Sequence, residues 1–350
     1  MIIALDAMGG DRAPAEPVAG ALLAHRELGL QVALVGAEEL LRQELAHHGP
    51  VPSGIDLIAA SEAIGMDESP VQAVRQKKDA SVNVAMDLVK RGVASAVVSA
   101  GNTGALMASA LLNLGRVPGI ERPAIGTMAP YKPTGILVLD VGANADCKPS
   151  YLVQFARMGS VYMEKVYGIE RPRVGLLNIG EEAAKGNELT QEVYRLLSES
   201  GLHFVGNIEP DRIQHGLAEV IVTDGFTGNI AVKSAEGIAD FIFSQLKAAI
   251  LSRPQYRLAA LVLRPALLRM RRQMDYGEYG GAPLLGVNGV VIVAHGRADA
   301  QAVKNALRNA REAAGSGMLD ALRGAFSRGP QPDAEPVAPG ATSSPGETRA

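Results

Sequence analysis

Ala96-Val97-Val98-Ser99-Ala100-Gly101-Asn102-Thr103-Gly104-Ala105-Leu106 decides how the chain is read. Val97 and Val98 favour a buried strand that stops at Ser99. Gly101 and Gly104 permit a turn and a close backbone approach. Asn102 and Thr103 can cap a helix carrying Leu106, Met107, Leu111 and Leu112. This gathers backbone N–H groups at the positive end of a helix, a place suited to phosphate. The spacing is neither the GxxxxGK[ST] phosphate loop nor the GxGxxG dinucleotide fingerprint. Taken alone, the stretch reads equally well as a tight structural turn.

The same design recurs along the chain. Residues 1–5 form a short apolar strand that ends at Asp6, before Gly9 and Gly10. Residues 135–140 end at Asp140, with Asn144 and Cys147 in the following loop. Residues 174–179 lead into a loop with Lys185, Gly186 and Asn187. Residues 219–223 lead into Asp224-Gly225-Phe226-Thr227-Gly228-Asn229. Asp6, Ser99, Asp140, Asn178 and Asp224 thus close five strands, and the expectation is one shared sheet edge forming a polar, glycine-lined cleft for a bulky anion. Further strands are expected over 31–36, 55–59 and 290–294, with helices over 14–27, 38–46, 81–90, 190–197, 231–249 and 298–314. Residues 280–286 read as an apolar glycine loop. The alternation predicts an α/β chain with a mostly parallel sheet and right-handed crossovers.

The totals narrow the function. With aromatics at 4% and no Trp, stacking platforms for nucleic-acid bases are scarce. A net charge of −3 offers polyanions no global attraction. The single cysteine, Cys147, excludes an internal disulfide framework and a multi-cysteine metal site. As a lone thiol it is better read as a small packing residue than as a nucleophile. No metal and no cofactor is expected. The first residues lack a basic region followed by a long apolar run, and no apolar run reaches a bilayer span, so a cytoplasmic location is expected. Arg75, Lys77 and Lys78 read as a solvated face or as cations for an anionic ligand. His295, closing the strand over 290–294, is a candidate for acid–base chemistry, with a structural histidine as the plain alternative.

Residues 241–274 break the pattern. They hold Lys247, Arg253, Arg257, Arg264, Arg269, Arg271 and Arg272 without one acidic residue. Phe241, Leu261, Leu268 and other apolar residues are interleaved, and Pro254 and Pro265 are expected to divide the stretch into short helical pieces. A basic amphipathic helix pair suits an anionic membrane surface or an acidic protein partner. A helical hairpin buried at a dimer contact is the structural alternative. Residues 329–350, rich in Pro, Gly, Ala and Ser, read as a disordered tail.

The blocks ALDAMGGD (4–11), VSAGNTGALMA (98–108), LDVGANADCKP (139–149), LLNIGEEAAKGNE (176–188), TDGFTGNIAVKSAEG (223–237), YGGAPLLGVNG (279–289) and AHGRADA (294–300) resemble the bacterial phosphate acyltransferases of the PlsX type, the acyl carrier protein:phosphate transacylases. The resemblance spans about residues 1–320. It implies a Rossmann-like α/β/α fold, similar to phosphate acetyltransferases and isocitrate dehydrogenases, as one domain over 1–328 with the basic insertion at 241–275. It implies transfer of a long fatty acyl group from acyl carrier protein to inorganic phosphate. The acyl phosphate product feeds a membrane acyltransferase acting on glycerol 3-phosphate in phospholipid synthesis. It also implies a homodimer attached peripherally to the inner face of the cell membrane.

On that reading, phosphate is already a nucleophile and no activated Ser or Cys is required. The expected catalytic residues are Lys185 and Asn229, for charge stabilisation, with Asn187 and His295 orienting them. The expected phosphate-binding residues are Asp6, Gly9, Gly10, Ser99, Gly101, Asn102, Thr103, Gly104, Asn144, Asp224, Gly225, Thr227 and Gly228. Arg257, Leu261, Arg264, Leu268, Arg269, Arg271 and Arg272 are expected to touch lipid or carrier protein. A short-chain phosphate acyltransferase using coenzyme A, a nicotinamide-dependent dehydrogenase and a non-enzymatic membrane-surface scaffold are the competing readings.

Overall fold

The computed structural model describes residues 1–327, apart from Pro133, residues 274–279 and the side chains of 271–273. The expected tail at 329–350 and the side chains of Arg271 and Arg272 lie outside the described residues. The chain opens with β1 (Ile2–Asp6), α1 (Ala15–Leu28), β2 (Gln31–Gly36), α2 (Glu38–Ala46) and β3 (Ile55–Ala59). It continues through α3 (Pro70–Gln76), α4 (Ser81–Lys90), β4 (Ala96–Ser99) and α5 (Thr103–Asn113). Next come β5 (Ala124–Ala129), β6 (Ile136–Leu139), α6 (Pro149–Tyr167), β7 (Val174–Leu177), α7 (Glu188–Ser198) and β8 (Phe204–Ile208). A 3-10 turn (Pro210–His215), β9 (Val220–Val222), α8 (Gly225–Leu251) and α9 (Pro254–Gln273) follow. The chain ends in β10 (Ala282–Leu285), β11 (Val290–Val293), α10 (Ala300–Gly315) and α11 (Met318–Ser327).

The strands form one sheet in the order β3-β2-β1-β4-β11-β10-β5-β6-β9-β7-β8. Alternate residues of each strand serve opposite faces, as the pleat requires. Ile3, Leu5, Val32, Leu34 and Val98 join one cluster with Val18, Phe155, Val193 and Val303 from α1, α6, α7 and α10. Ala4, Ala33, Val35 and Val97 join another with Val74, Met86 and Leu106 from α3, α4 and α5. Both faces are therefore dry, which explains why the strands read as continuous apolar runs rather than alternating ones. The α/β architecture with a mostly parallel sheet matches the expectation.

The expectation of one shared edge is corrected. β3, β2, β1, β4 and β11 run parallel to one another, and so do β6, β9, β7 and β8. Between the two groups, the pairs β11–β10, β10–β5 and β5–β6 are each antiparallel. Three reversals leave the two groups pointing opposite ways. Asp6 and Ser99 close strands at the carboxyl edge of one group, whereas Asp140, Asn178 and Asp224 follow strands at the carboxyl edge of the other, which faces the opposite way.

That reversal turns on β10, which occupies the presumed glycine loop. Pro283, a residue scarce in central strands, hides it in the sequence, yet Pro283 pairs opposite Ile292. A second correction concerns Pro265. Pro254 begins α9, but α9 continues through Pro265 to Gln273. The carbonyls that Pro265 leaves without a partner stand on an exposed helix, where water can serve them.

Candidate active site

The stretch around Gly101 folds as expected. The Asn102 side chain accepts from the Ala105 N–H at 3.1 Å and starts α5. Its amide nitrogen donates to the carbonyls of Met66 and Glu68, fastening the segment before α3 over the turn. Asp6 lies beneath, 4% exposed. Its carboxylate accepts from the Ser81 hydroxyl at 2.6 Å, the Ser99 hydroxyl at 2.7 Å and the Met8 N–H at 3.2 Å. Burial raises its pKa, against the opposing pull of these donors. The Gly101 N–H donates to Ser99 Oγ at 3.1 Å. The space behind the turn, about 10 Å³, has room for one water-sized sphere at most.

Asp6 and Ser99 are thus committed to holding three chain segments together. Thr103 is exposed, Gly104 and Gly10 half-buried, and Gly9 packed against Asp6 and Gly101. His295 is exposed at this edge, and its Nδ1 accepts from the Arg297 N–H at 3.1 Å. Among the cations before α4, Lys77 pairs with Glu68 at 2.7 Å.

The opposite edge collects the remaining candidates. Asp140, fully buried, organises its own loop. It accepts from the N–H groups of Ile125, Gly142, Ala143 and Asn144 and from the Asn144 side-chain amide, at 2.7–3.2 Å. Burial nevertheless raises its pKa. The Asn144 carbonyl accepts from the Gly225 N–H at 2.8 Å, tying this loop to the start of α8. Gly228 meets the same loop: a Cβ there would collide with the Asp140 carbonyl oxygen, so the first turn of α8 can seat only with glycine. Asp224 caps α8 through the Thr227 N–H at 2.8 Å and also accepts from the Thr227 hydroxyl at 2.8 Å. Asn229 is exposed, with its amide donated to the Val141 carbonyl at 3.0 Å.

The loop after β7 stands beside this one, because β9 alone separates β6 from β7. Asn187 caps α7 through the Thr190 N–H at 2.9 Å. Asn178 donates to the Lys185 carbonyl at 3.1 Å, and Gly186, at φ +91°, lets the chain fold tightly over Asn178 and Thr190. Lys185 itself is exposed. Cys147, half-buried under the same edge, has its thiol pushed up to about 12 by burial, with Asp140, Asp224 and Asp146 adding to the rise. It stays protonated at neutral pH, which agrees with the packing reading.

The structure therefore brings Lys185, Asn187, Asn144, Asp224, Gly225, Thr227, Gly228 and Asn229 to one edge. There α6, α7 and α8 all begin, so three helix N-termini lend it positive potential. Four strand spacings, about 19 Å, lie between β4 and β6 across the sheet, and Val141 and Ala143 of the Asp140 loop pack against the same apolar cluster as Ala105 and Leu106 at the start of α5. Sequence reasoning missed Arg116, Arg122 and Tyr151, which line a groove beside Pro123, where the Asn144 amide donates at 2.8 Å. Their only signal was an arginine on either side of Val117-Pro118-Gly119-Ile120-Glu121.

From this edge α8 runs outward for 27 residues, about 40 Å. Beyond its first turns it carries exposed Ile238, Phe241 and Ile242, and α9 exposes Leu258, Leu261, Val262 and Leu263. Arg264, Leu268 and Arg269 are exposed too. Arg257 is partly committed, since its guanidinium donates to the Leu251 carbonyl and caps α8. No described helix is long and apolar enough to cross a membrane.

Comparison with known proteins agrees with this architecture. Solved structures of similar fold include a phosphotransacetylase from Streptococcus pyogenes, 18% identical with a TM-score of 0.61, covering 90% of this chain and 94% of that one. A branched-chain phosphotransacylase from Enterococcus faecalis is 14% identical with a TM-score of 0.55, covering 90% and 99%. Among curated relatives, the phosphate acyltransferase of Heliobacterium modesticaldum is 53% identical over 327 residues, covering 92% of this chain and 97% of that protein. That of Desulfitobacterium hafniense (strain DSM 10664 / DCB-2) is 50% identical over 324 residues, covering 92% and 97%. The family profile described as fatty acid synthesis protein matches residues 1–320. The chain belongs to that fatty acid synthesis family, with the phosphate acyltransferases of the PlsX type.

Proposed function

We propose that this member of the phosphate acyltransferases moves a long fatty acyl group from the thioester of acyl carrier protein to inorganic phosphate. A phosphate oxygen attacks the thioester carbonyl carbon and forms the C–O bond. The tetrahedral oxyanion collapses, the C–S bond breaks, and the carrier leaves as thiolate, which takes a proton from solvent. Acyl phosphate is the product. Because phosphate is already nucleophilic near neutral pH, the protein's task is to position two anions and stabilise the developing oxyanion. We assign Lys185 and Asn229 to that stabilisation, and Asn187 and the start of α8 to orientation. His295 and the turn around Gly101 remain candidates on the other edge.

The observation that carries this reading is the continuity of α8. One helix begins at the polar edge and continues into an exposed, cationic and apolar arm with α9. A site for a small anion alone has no use for such an arm. An acidic carrier, an amphiphilic product and a membrane acyltransferase that consumes it on glycerol 3-phosphate all do. The arm is proposed to hold the enzyme peripherally on the membrane surface, and a second copy of the chain is proposed to complete a homodimer.

The test mixes the purified protein with palmitoyl acyl carrier protein, with and without inorganic phosphate, and traps acyl phosphate with hydroxylamine. Phosphate-dependent trapped product is expected. Lys185→Ala should lower turnover by about 10²-fold or more, with an unchanged melting curve because the side chain is exposed. Release of the acyl group only with coenzyme A would favour the short-chain reading. Wild-type turnover in Lys185→Ala would remove that residue from the mechanism.

A further inference from the structure

Between the C-terminal end of α5 and the first turn of α6 lies an open groove of about 420 Å³. Leu111, Arg116, Glu121, Arg122, Pro123 and Tyr151 line it. We infer that this groove is a phosphate-binding subsite held by the Arg116 and Arg122 guanidiniums. The inference rests on the acyl-transfer reading only for whose phosphate it is.

Both guanidiniums are pre-positioned by something other than an acid. Arg116 Nη1 donates to the Glu121 carbonyl, which curls residues 116–121 into a closed loop. That loop is pinned to α6, where the Glu121 N–H donates to Gln154 Oε1 at 2.8 Å and Gln154 Nε2 to the Gly119 carbonyl at 3.1 Å. Arg122 stands over the Tyr151 ring, 6.0 Å from its centroid. Among the described residues neither guanidinium pairs with a carboxylate. Planar guanidiniums with donors free match phosphate oxygens well.

The surroundings favour an anion. Glu121 on the rim leaves the two arginines with a surplus of one positive charge. The 19-residue helix α6 begins beside the groove with Pro149 in its first turn and no side-chain cap, so its positive end is unscreened. The groove also adjoins the candidate active edge. Pro123, in its wall, accepts from the Asn144 amide, and the Asn144 carbonyl accepts from Gly225 at the start of α8. Two sources share the chemistry: inorganic phosphate as substrate, or the phosphodiester of the carrier's prosthetic arm.

Titration calorimetry on the full chain, with inorganic phosphate and with 4′-phosphopantetheine as separate probes, tests the inference without any turnover. Arg122→Gln and Arg116→Gln should weaken binding about tenfold or more. Arg122→Lys should recover part of the loss, and Glu121→Gln should tighten binding. Melting curves check that each variant folds; Arg122→Gln loses only a ring contact. A loss confined to inorganic phosphate assigns the groove to the substrate, and a loss confined to phosphopantetheine assigns it to the carrier arm. A loss for both marks a site that accepts either. Failure of the wild type to bind either probe, or unchanged binding in both glutamine variants, overturns the inference. Either result is independent of whether palmitoyl carrier protein is a substrate.

Discussion

Glu219 shows what a single carboxylate does when it is closed in by cations. Burial alone would raise its pKa, but hydrogen bonds from Arg173 and Lys132 outweigh burial and hold it down to about 2. Arg173 Nε donates at 3.1 Å and Lys132 Nζ at 2.9 Å, joining β9 to the turn between β5 and β6. A carboxyl whose folded pKa is depressed stabilises the fold above its unfolded value, near 4.5, and loses that contribution as pH falls toward 2. Glu219→Gln should therefore cost about 2 kcal/mol at pH 7. The gap to wild type should close between about pH 4.5 and 2 in urea melts. A gap that stays constant over that range would show that the carboxylate charge is not what matters. The same scale shows several expected ligands also bracing their own helices. Asn102, Asn187 and Asp224 each accept the N–H three residues on. Short polar side chains before a helix serve caps and anion loops alike, so residue type could not separate the two.

At the scale of elements, α8 and α9 are the exception to a chain that otherwise buries its apolar faces. α9 touches α8 and little else among the described elements. Leu261, 65% exposed, and Leu268, 44% exposed, can therefore be changed without disturbing the core. If the arm meets an anionic membrane, Leu261→Glu and Leu268→Glu should each lower co-sedimentation with phosphatidylglycerol vesicles severalfold. Wild-type binding should fall with added salt, because the arginines act through screened charge. Unchanged co-sedimentation in both variants would point the arm toward the carrier protein instead. The composition of residues 241–274 marked a basic, apolar stretch, which lies on α8 and α9. The length of its helices was harder to read, since Pro265 removes a hydrogen bond and crowds the carbonyl four residues back, yet α9 runs through it.

Across the whole molecule, the short strand β10 joins two groups of parallel strands that face opposite ways. Gly286 follows it at φ +92°, and a Cβ there would lie 3.0 Å from Met158 Sδ and 3.1 Å from both Ile120 Cγ2 and Pro123 Cα. The Gly286 carbonyl also accepts from the Val117 N–H at 3.0 Å, in the loop that carries Arg116. Gly286→Ala should cost about 2 kcal/mol and lower the melting temperature by several degrees. A melting temperature equal to wild type would show that this junction tolerates rearrangement.

The sequence by itself determined the α/β class, the first turn of α5, the loops at the strand ends and the basic, apolar character of residues 241–274. Each of these is written in local signals: apolar runs, caps, glycines and charge. It also carried the family blocks, in order, over about residues 1–320. Tertiary structure alone decided which loops share an edge, because strand direction depends on partners distant in the chain. Three antiparallel pairings turned the strands that end at Asp6 and Ser99 against those that lead to Asp140, Asn178 and Asp224. Tertiary structure alone also set Arg116 and Arg122 beside Tyr151, since a groove between two helices exists only once both have packed on the sheet.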